Sequence, residues 1–128
     1  MGYRSQVALA LKKETYHKHE KTLAPHLKDC DNIHQTEGAY YFYWNDVKWY
    51  ESYEDVKTIT KVIDNLDWEE YAFIRVGDDD DDVLYEGDHI NFEIYVSRSI
   101  DIPTTKDSKI PHKDFFAPQS VKFIKEDA

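Results

Sequence analysis

Residues 5 to 12 alternate Val7, Leu9 and Leu11 with Ala8 and Ala10, a period of two whose second face is small and apolar. That pattern predicts a strand covered on both sides. From Glu14 to about Cys30, Tyr16, Leu23 and Leu27 recur at helix-compatible spacing among charged and His residues. Pro25 lacks an N–H and clashes with the preceding turn, which predicts a kink or two short helices meeting there. In residues 39 to 50, Asn45-Asp46 reads as a two-residue turn between aromatic, β-preferring runs. The implied register pairs Trp44 with Val47 and Phe42 with Trp49 on one face, and Tyr43 with Lys48 and Tyr41 with Tyr50 on a phenolic one.

Ser52 and Asp55 resemble a capping box, and Val56, Ile59, Val62, Ile63 and Leu66 then trace one helical stripe. Residues 71 to 76 alternate as a strand, and Val83 to Glu86 and Asn91 to Ser97 read as two more, joined near Gly87-Asp88. Beyond Ile102, Pro103, Pro111 and Pro118 point to an irregular arm, with Ser120 to Lys125 as a short closing element. The order β, α, β, β, α, β plus an added β-hairpin predicts an α+β fold of the ferredoxin-like split βαβ type: an antiparallel sheet with two helices on one face and its first strand central. An antiparallel sheet of different strand order with the same helices is the competing layout. Residues 1–102 form one domain in this reading, and 103–128 an arm packing on it.

A chain of 128 residues, 15% of them aromatic, has room for one core and, by its size, buries roughly two-thirds of its unfolded surface. No run approaches the ~18 apolar residues of a membrane span, and the opening lacks the apolar stretch of a signal peptide. With a lone Cys30 and no internal disulfide possible, the expectation is a reducing, cytoplasmic location without membrane contact.

Charge changes the picture most. Both ends are near neutral, whereas residues 51 to 101 hold sixteen acids against Lys57, Lys61, Arg75 and Arg98, or −12. This polarity repels phosphate, so direct nucleic-acid binding is not expected, and it attracts basic surfaces. The candidate contact residues are Glu69, Glu70, Asp78, Asp79, Asp80, Asp81, Asp82, Glu86 and Asp88, together with the phenols Tyr41, Tyr43 and Tyr50, which can anchor a partner or lie beneath the arm through Phe115, Phe116 and Phe123. As a solvated loop the Asp run costs only about a kcal/mol in mutual repulsion. It departs from the calcium-loop pattern, because Val83 stands where Gly is required and no Glu occupies position twelve.

Catalytic signatures are sparse. Glycines at 2, 38, 77 and 87 compose no nucleotide-binding loop and no nucleophile elbow. His17 and His19 share a strand face but not a helical one, and His-Glu-x-x-His is absent. His34-Gln35-Thr36 resembles half of a two-histidine phosphoesterase signature whose other half is missing, and Cys30 beside His26 or His34 is a conceivable thiol nucleophile. Neither cofactor nor metal is expected. A small phosphoesterase or metal-dependent enzyme using His17, His19, His34 and nearby carboxylates is one alternative, and a self-associating protein using its tyrosines is another.

The opening Met1-Gly2-Tyr3-Arg4-Ser5-Gln6-Val7 resembles the start of a set of small, mostly uncharacterised tailed-phage proteins that begin Met-Gly-Tyr-Arg-Ser, an acid, then Val; Gln6 stands at the acid's place. The resemblance covers seven residues, implies a phage or prophage origin and brings no functional residue set. Together with the charge it leads to the expectation of a non-catalytic phage accessory protein, monomeric or homodimeric, whose acidic middle third occupies a basic host protein surface such as a nucleic-acid groove. Replacing Asp78 to Asp82 with Ser and Asn is expected to spare folding and weaken capture.

Overall fold

The computed structural model describes residues 4–78, 82–96, 100–104 and 107–116, apart from the side chains of Tyr95 and Asp101. Among them a five-stranded antiparallel sheet runs in the order β2-β3-β1-β4-β5, built from β1 (Ser5–Lys12), β2 (Asn32–Gln35), β3 (Ala39–Val47), β4 (Tyr71–Gly77) and β5 (Val83–Gly87). Four helices accompany it: α1 (Lys13–Lys18), α2 (Glu20–Leu27), α3 (Glu54–Asp64) and α4 (His112–Phe115). None is long and apolar enough to cross a membrane.

The period of two in β1 sorts the molecule into two cores. Val7, Leu9 and Leu11 point to the helical side, where Tyr16, Leu23, Leu27, Ile59 and Ile63 meet them with Phe42, Trp44 and Phe73 from the neighbouring strands. Ala8 and Ala10 point the other way and, with Ala39 and Ala72, form a shallow floor. Small side chains there let the chain after β5 lie close, so Phe92, Ile94 and Ile100 cover this face. β1 is therefore central and buried on both sides, as its alternation predicts.

Four local expectations are corrected. Asn45-Asp46 does not turn: β3 runs straight through it, and the register slips from Val7↔Trp44 to Ser5↔Val47, so two residues face Gln6 alone. The turn-prone pair is absorbed as a β-bulge, with the Asn45 N–H donating to Asp31 Oδ2 at 2.6 Å. The hairpin instead joins β2 to β3 around Glu37-Gly38, with Ile33 opposite Phe42 and His34 opposite Tyr41. The break between α1 and α2 falls at His19, and Pro25 sits inside α2; only the two residues after it complete that helix, so the turns it disrupts are few.

α3 carries the expected stripe, but its N-cap is Tyr53 without a side-chain cap bond, and Asp55 instead meets His26 Nδ1 at 2.6 Å, tying α3 to α2. Residues 89–93 form a turn, not a strand; it closes with Glu93 at φ 59, and among the described residues of the expected strand Tyr95–Val96 (β6) pair with Ile100–Asp101 (β7), while Ser97 lies outside the described residues. The proposed closing element at Ser120–Lys125, and Phe123 with it, lies outside the described residues.

Part of the C-terminal arm is ordered by the sheet. Ile110 N–H donates to the Ile33 carbonyl at 2.8 Å and Gln35 N–H to that of Ser108 at 2.9 Å, so residues 108–110 line the outer edge of β2, and Phe115 from α4 enters the helical-side core.

Candidate functional site

The acidic segment gathers about β5. Asp64 ends α3, Glu69 and Glu70 belong to a 3-10 turn (Trp68–Glu70) that packs on β5, and Glu86 lies within β5 itself. Burial, and after it the charge of Asp64, hold the Glu86 carboxyl above its ordinary range. Tyr71, opposite the end of β5, is raised by burial and then by Glu86 and Asp64. Asp64 and Glu86 thus share a field at one end of the strand, felt by Tyr71 as well. At the other end Asp78 is exposed and accepts the Arg4 backbone N–H at 3.2 Å. Asp82 receives both guanidinium nitrogens of Arg75, at 2.9 and 3.0 Å, a bidentate pair that fixes the foot of β5. Asp79, Asp80 and Asp81 lie outside the described residues.

Two of the expected contact residues are interior. Asp88 is 4% exposed and works as a turn cap, accepting from the Asn91 backbone N–H and side-chain amide. Tyr41 is buried with its hydroxyl donating to the Phe92 carbonyl at 2.8 Å; burial, offset in part by a Thr36 hydrogen bond and reinforced by Glu93, pushes the phenol up to about 12. The phenolic face also divides. Tyr43, half-buried, shares the face of Tyr41 and donates to Asn45 Oδ1. Tyr50 sits beyond the sheet with its ring 5.2 Å from that of Tyr53. Among the described residues the cover over Tyr41 comes from Phe92, Ile94 and Ile100, and Phe115 of the arm packs instead against Tyr16, Tyr40 and Phe42 on the opposite side, because Tyr40 and Phe42 alternate differently from Tyr41.

The histidines each serve a separate place. His17 meets Glu20 and the Tyr40 hydroxyl, both at 3.1 Å, and His34 Nδ1 lies 2.9 Å from the Ser108 hydroxyl. His112 Nε2 donates to the Cys30 carbonyl at 2.6 Å, so neither His26 nor His34 is the neighbour of Cys30. Burial, and then Asp31, push the Cys30 thiol up to about 12, which keeps it protonated and unreactive at neutral pH. Among the described residues no three His, Cys, Asp or Glu side chains gather as a metal site.

An apolar component that composition does not reveal accompanies the acids. Trp68, Leu84, Tyr85 and Ile90 are 64%, 41%, 46% and 67% exposed, and all four lie on β5 or on the turns flanking it. The consecutive Leu84-Tyr85 in a short strand is the available signal, since one of the two must face away from any single core. Comparison of the chain with protein-family models, with curated proteins and with solved structures finds no match.

Proposed function

We propose that this chain is a non-catalytic acidic binding protein of tailed-phage or prophage type, which captures a basic protein surface in the host cytoplasm and occludes a groove meant for nucleic acid. The observation that carries this reading is the placement of the anionic segment: Asp64, Glu69, Glu70 and Glu86 at one end of β5 and Asp78 at the other, on a part of the chain that has sixteen acids for four bases. Carboxylates held on a sheet attract the cations that otherwise bind phosphate, and displace their counterions.

The fold reading that goes with it is ferredoxin-like. In its support, α1 and α2 carry the chain from β1 to β2 past one intervening strand, and α3 carries it from β3 to β4 past β1, the two split crossovers of that arrangement, with β5 added outside.

The test uses a purified, basic, histone-like DNA-binding protein as probe. Capture is expected at low salt, lost at high salt and competed by duplex DNA. Replacing Asp78, Asp79, Asp80 and Asp81 with Ser and Asn, while keeping the Asp82 that holds Arg75, is expected to leave the circular dichroism unchanged and weaken capture. Salt-independent binding, or capture unaffected by those replacements, refutes the reading.

A further inference from the structure

Within β5 the hydrogen-bonding direction alternates. The Gly77 N–H donates to the Asp82 carbonyl and the Asp88 N–H to that of Tyr71, so residues 82, 84, 86 and 88 direct their backbone groups at β4. Val83, Tyr85 and Gly87 therefore direct theirs outward, and β5 ends the strand order with no described strand beyond it. An outer strand with free backbone groups is a template for a further strand, and natural sheets blunt such edges with charge, proline, bulges or a covering segment. Here the edge carries exposed Leu84 and Tyr85, flanked by exposed Trp68 and Ile90. Aromatic and aliphatic side chains beside unpaired backbone compose an adhesive middle, blunted by charge only toward the ends.

We propose that β5 is a docking edge for an extended, Lys/Arg-rich segment of a partner protein, which adds as a sixth strand through the backbone groups of Val83, Tyr85 and Gly87. This rests on the acidic-capture reading above and gives its mode of contact. Charge selects the occupant. The five residues of β5 span roughly 17 Å, with Asp78 beyond one end and Asp64, Glu69, Glu70 and Glu86 at the other. A complementary segment has a short alternating apolar stretch with cations on both sides, the stretch resting on Leu84 or Tyr85 according to its face. A second copy of this chain pairing edge to edge about Tyr85 sets each acidic end against the other copy's acids, which opposes self-pairing.

The experiment follows backbone amides of the isotope-labelled full chain by NMR while a synthetic peptide, Lys-Lys-Val-Thr-Val-Thr-Val-Lys-Lys, is added, alongside the same peptide N-methylated at alternate residues. Methylation keeps charge and side chains but removes the donors a new ladder needs. The inference expects protection of the Val83, Tyr85 and Gly87 amides with the unmethylated peptide, and binding weaker by about tenfold or more for the methylated one. Tyr85→Pro removes an outward N–H without touching the β4 ladder and is expected to weaken the unmethylated peptide similarly, whereas Tyr85→Phe retains binding. Equal, salt-sensitive affinity for the two peptides overturns strand addition and leaves acidic capture standing. Absence of binding by either peptide at low salt overturns both. A concentration-dependent dimer that protects the same three amides without peptide overturns the choice of occupant in favour of a second copy.

Discussion

The two edges of the sheet are finished in opposite ways. On β2 the outward groups of Ile33 and Gln35 are met by Ile110 and Ser108, and the segment that supplies them continues into α4 and buries Phe115. On β5 the outward groups of Val83, Tyr85 and Gly87 meet no described strand, and Leu84 and Tyr85 stand exposed. Ile33 and Leu84 face the same helical side from opposite edges, yet one is 0% and the other 41% exposed. Since the chain covers one edge with its own residues, the edge left open among the described residues is where an external partner is to be sought.

The largest effect is expected on the covered side. Phe115→Ala removes a ring that contacts Tyr16, Tyr40 and Phe42 and is expected to cost about 3–4 kcal/mol in urea unfolding. Because α4 anchors the strip along β2, the Gln35 and Ile110 amides are expected to lose exchange protection first, making the two edges alike. Next comes the hinge of the open edge. Gly87 has φ +77, and a Cβ there stands 2.3 Å from the Tyr71 carbonyl oxygen. Gly87→Ala is expected to cost about 2–3 kcal/mol, through positive-φ strain together with displacement of β5 from β4, read as a lower thermal midpoint and lost protection at Asp88.

Acid is expected to separate the edges without mutation. Burial, and then Lys109, lower the His34 pKa below its ordinary 6.5, so the folded chain resists the proton. The unfolded chain binds it first, and the stability His34 contributes is present above about pH 6.5 and falls as pH drops below that. Glu86 has the opposite sign. Its raised pKa means that its contribution is full below the unfolded value of about 4.5 and is lost as pH rises through the folded one. Lowering pH from neutral is therefore expected to reduce protection factors at Gln35 and Ile110 while that of Asp88 holds, and His34→Gln is expected to abolish the loss at β2.

How much of this was legible follows from which interactions are local. β1, β4 and the stripe of α3 were readable because period-two and period-3.6 patterns report burial on one or both faces, whereas β5 was readable only as a run of β-preferring residues between turn signals. The β2–β3 hairpin was missed because Asn45-Asp46 is turn-prone in isolation, whereas the pairing of β1 with both β3 and β4 makes a long straight β3 the better bonded choice. The acidic field was plain from composition, but the inward position of Asp88 was not; Asp88 followed by Asn91 at three residues is the capping pattern that signals it. Edges are the least legible feature. Whether a strand ends the sheet depends on partners distant in sequence, as His34 and Lys109 show.

The smallest expected effect on stability tests the comparison most directly. Leu84→Thr keeps strand preference and removes an exposed aliphatic group, and is expected to change unfolding free energy by no more than about 0.5 kcal/mol. The same variant is expected to weaken the unmethylated Lys-Val-Thr peptide several-fold, because its leucine contributes nothing the folded chain needs and much that an added strand can cover. A stability loss comparable to that of Phe115→Ala would instead make Leu84 a core residue of the isolated protein, and the two edges would then differ in degree and not in purpose.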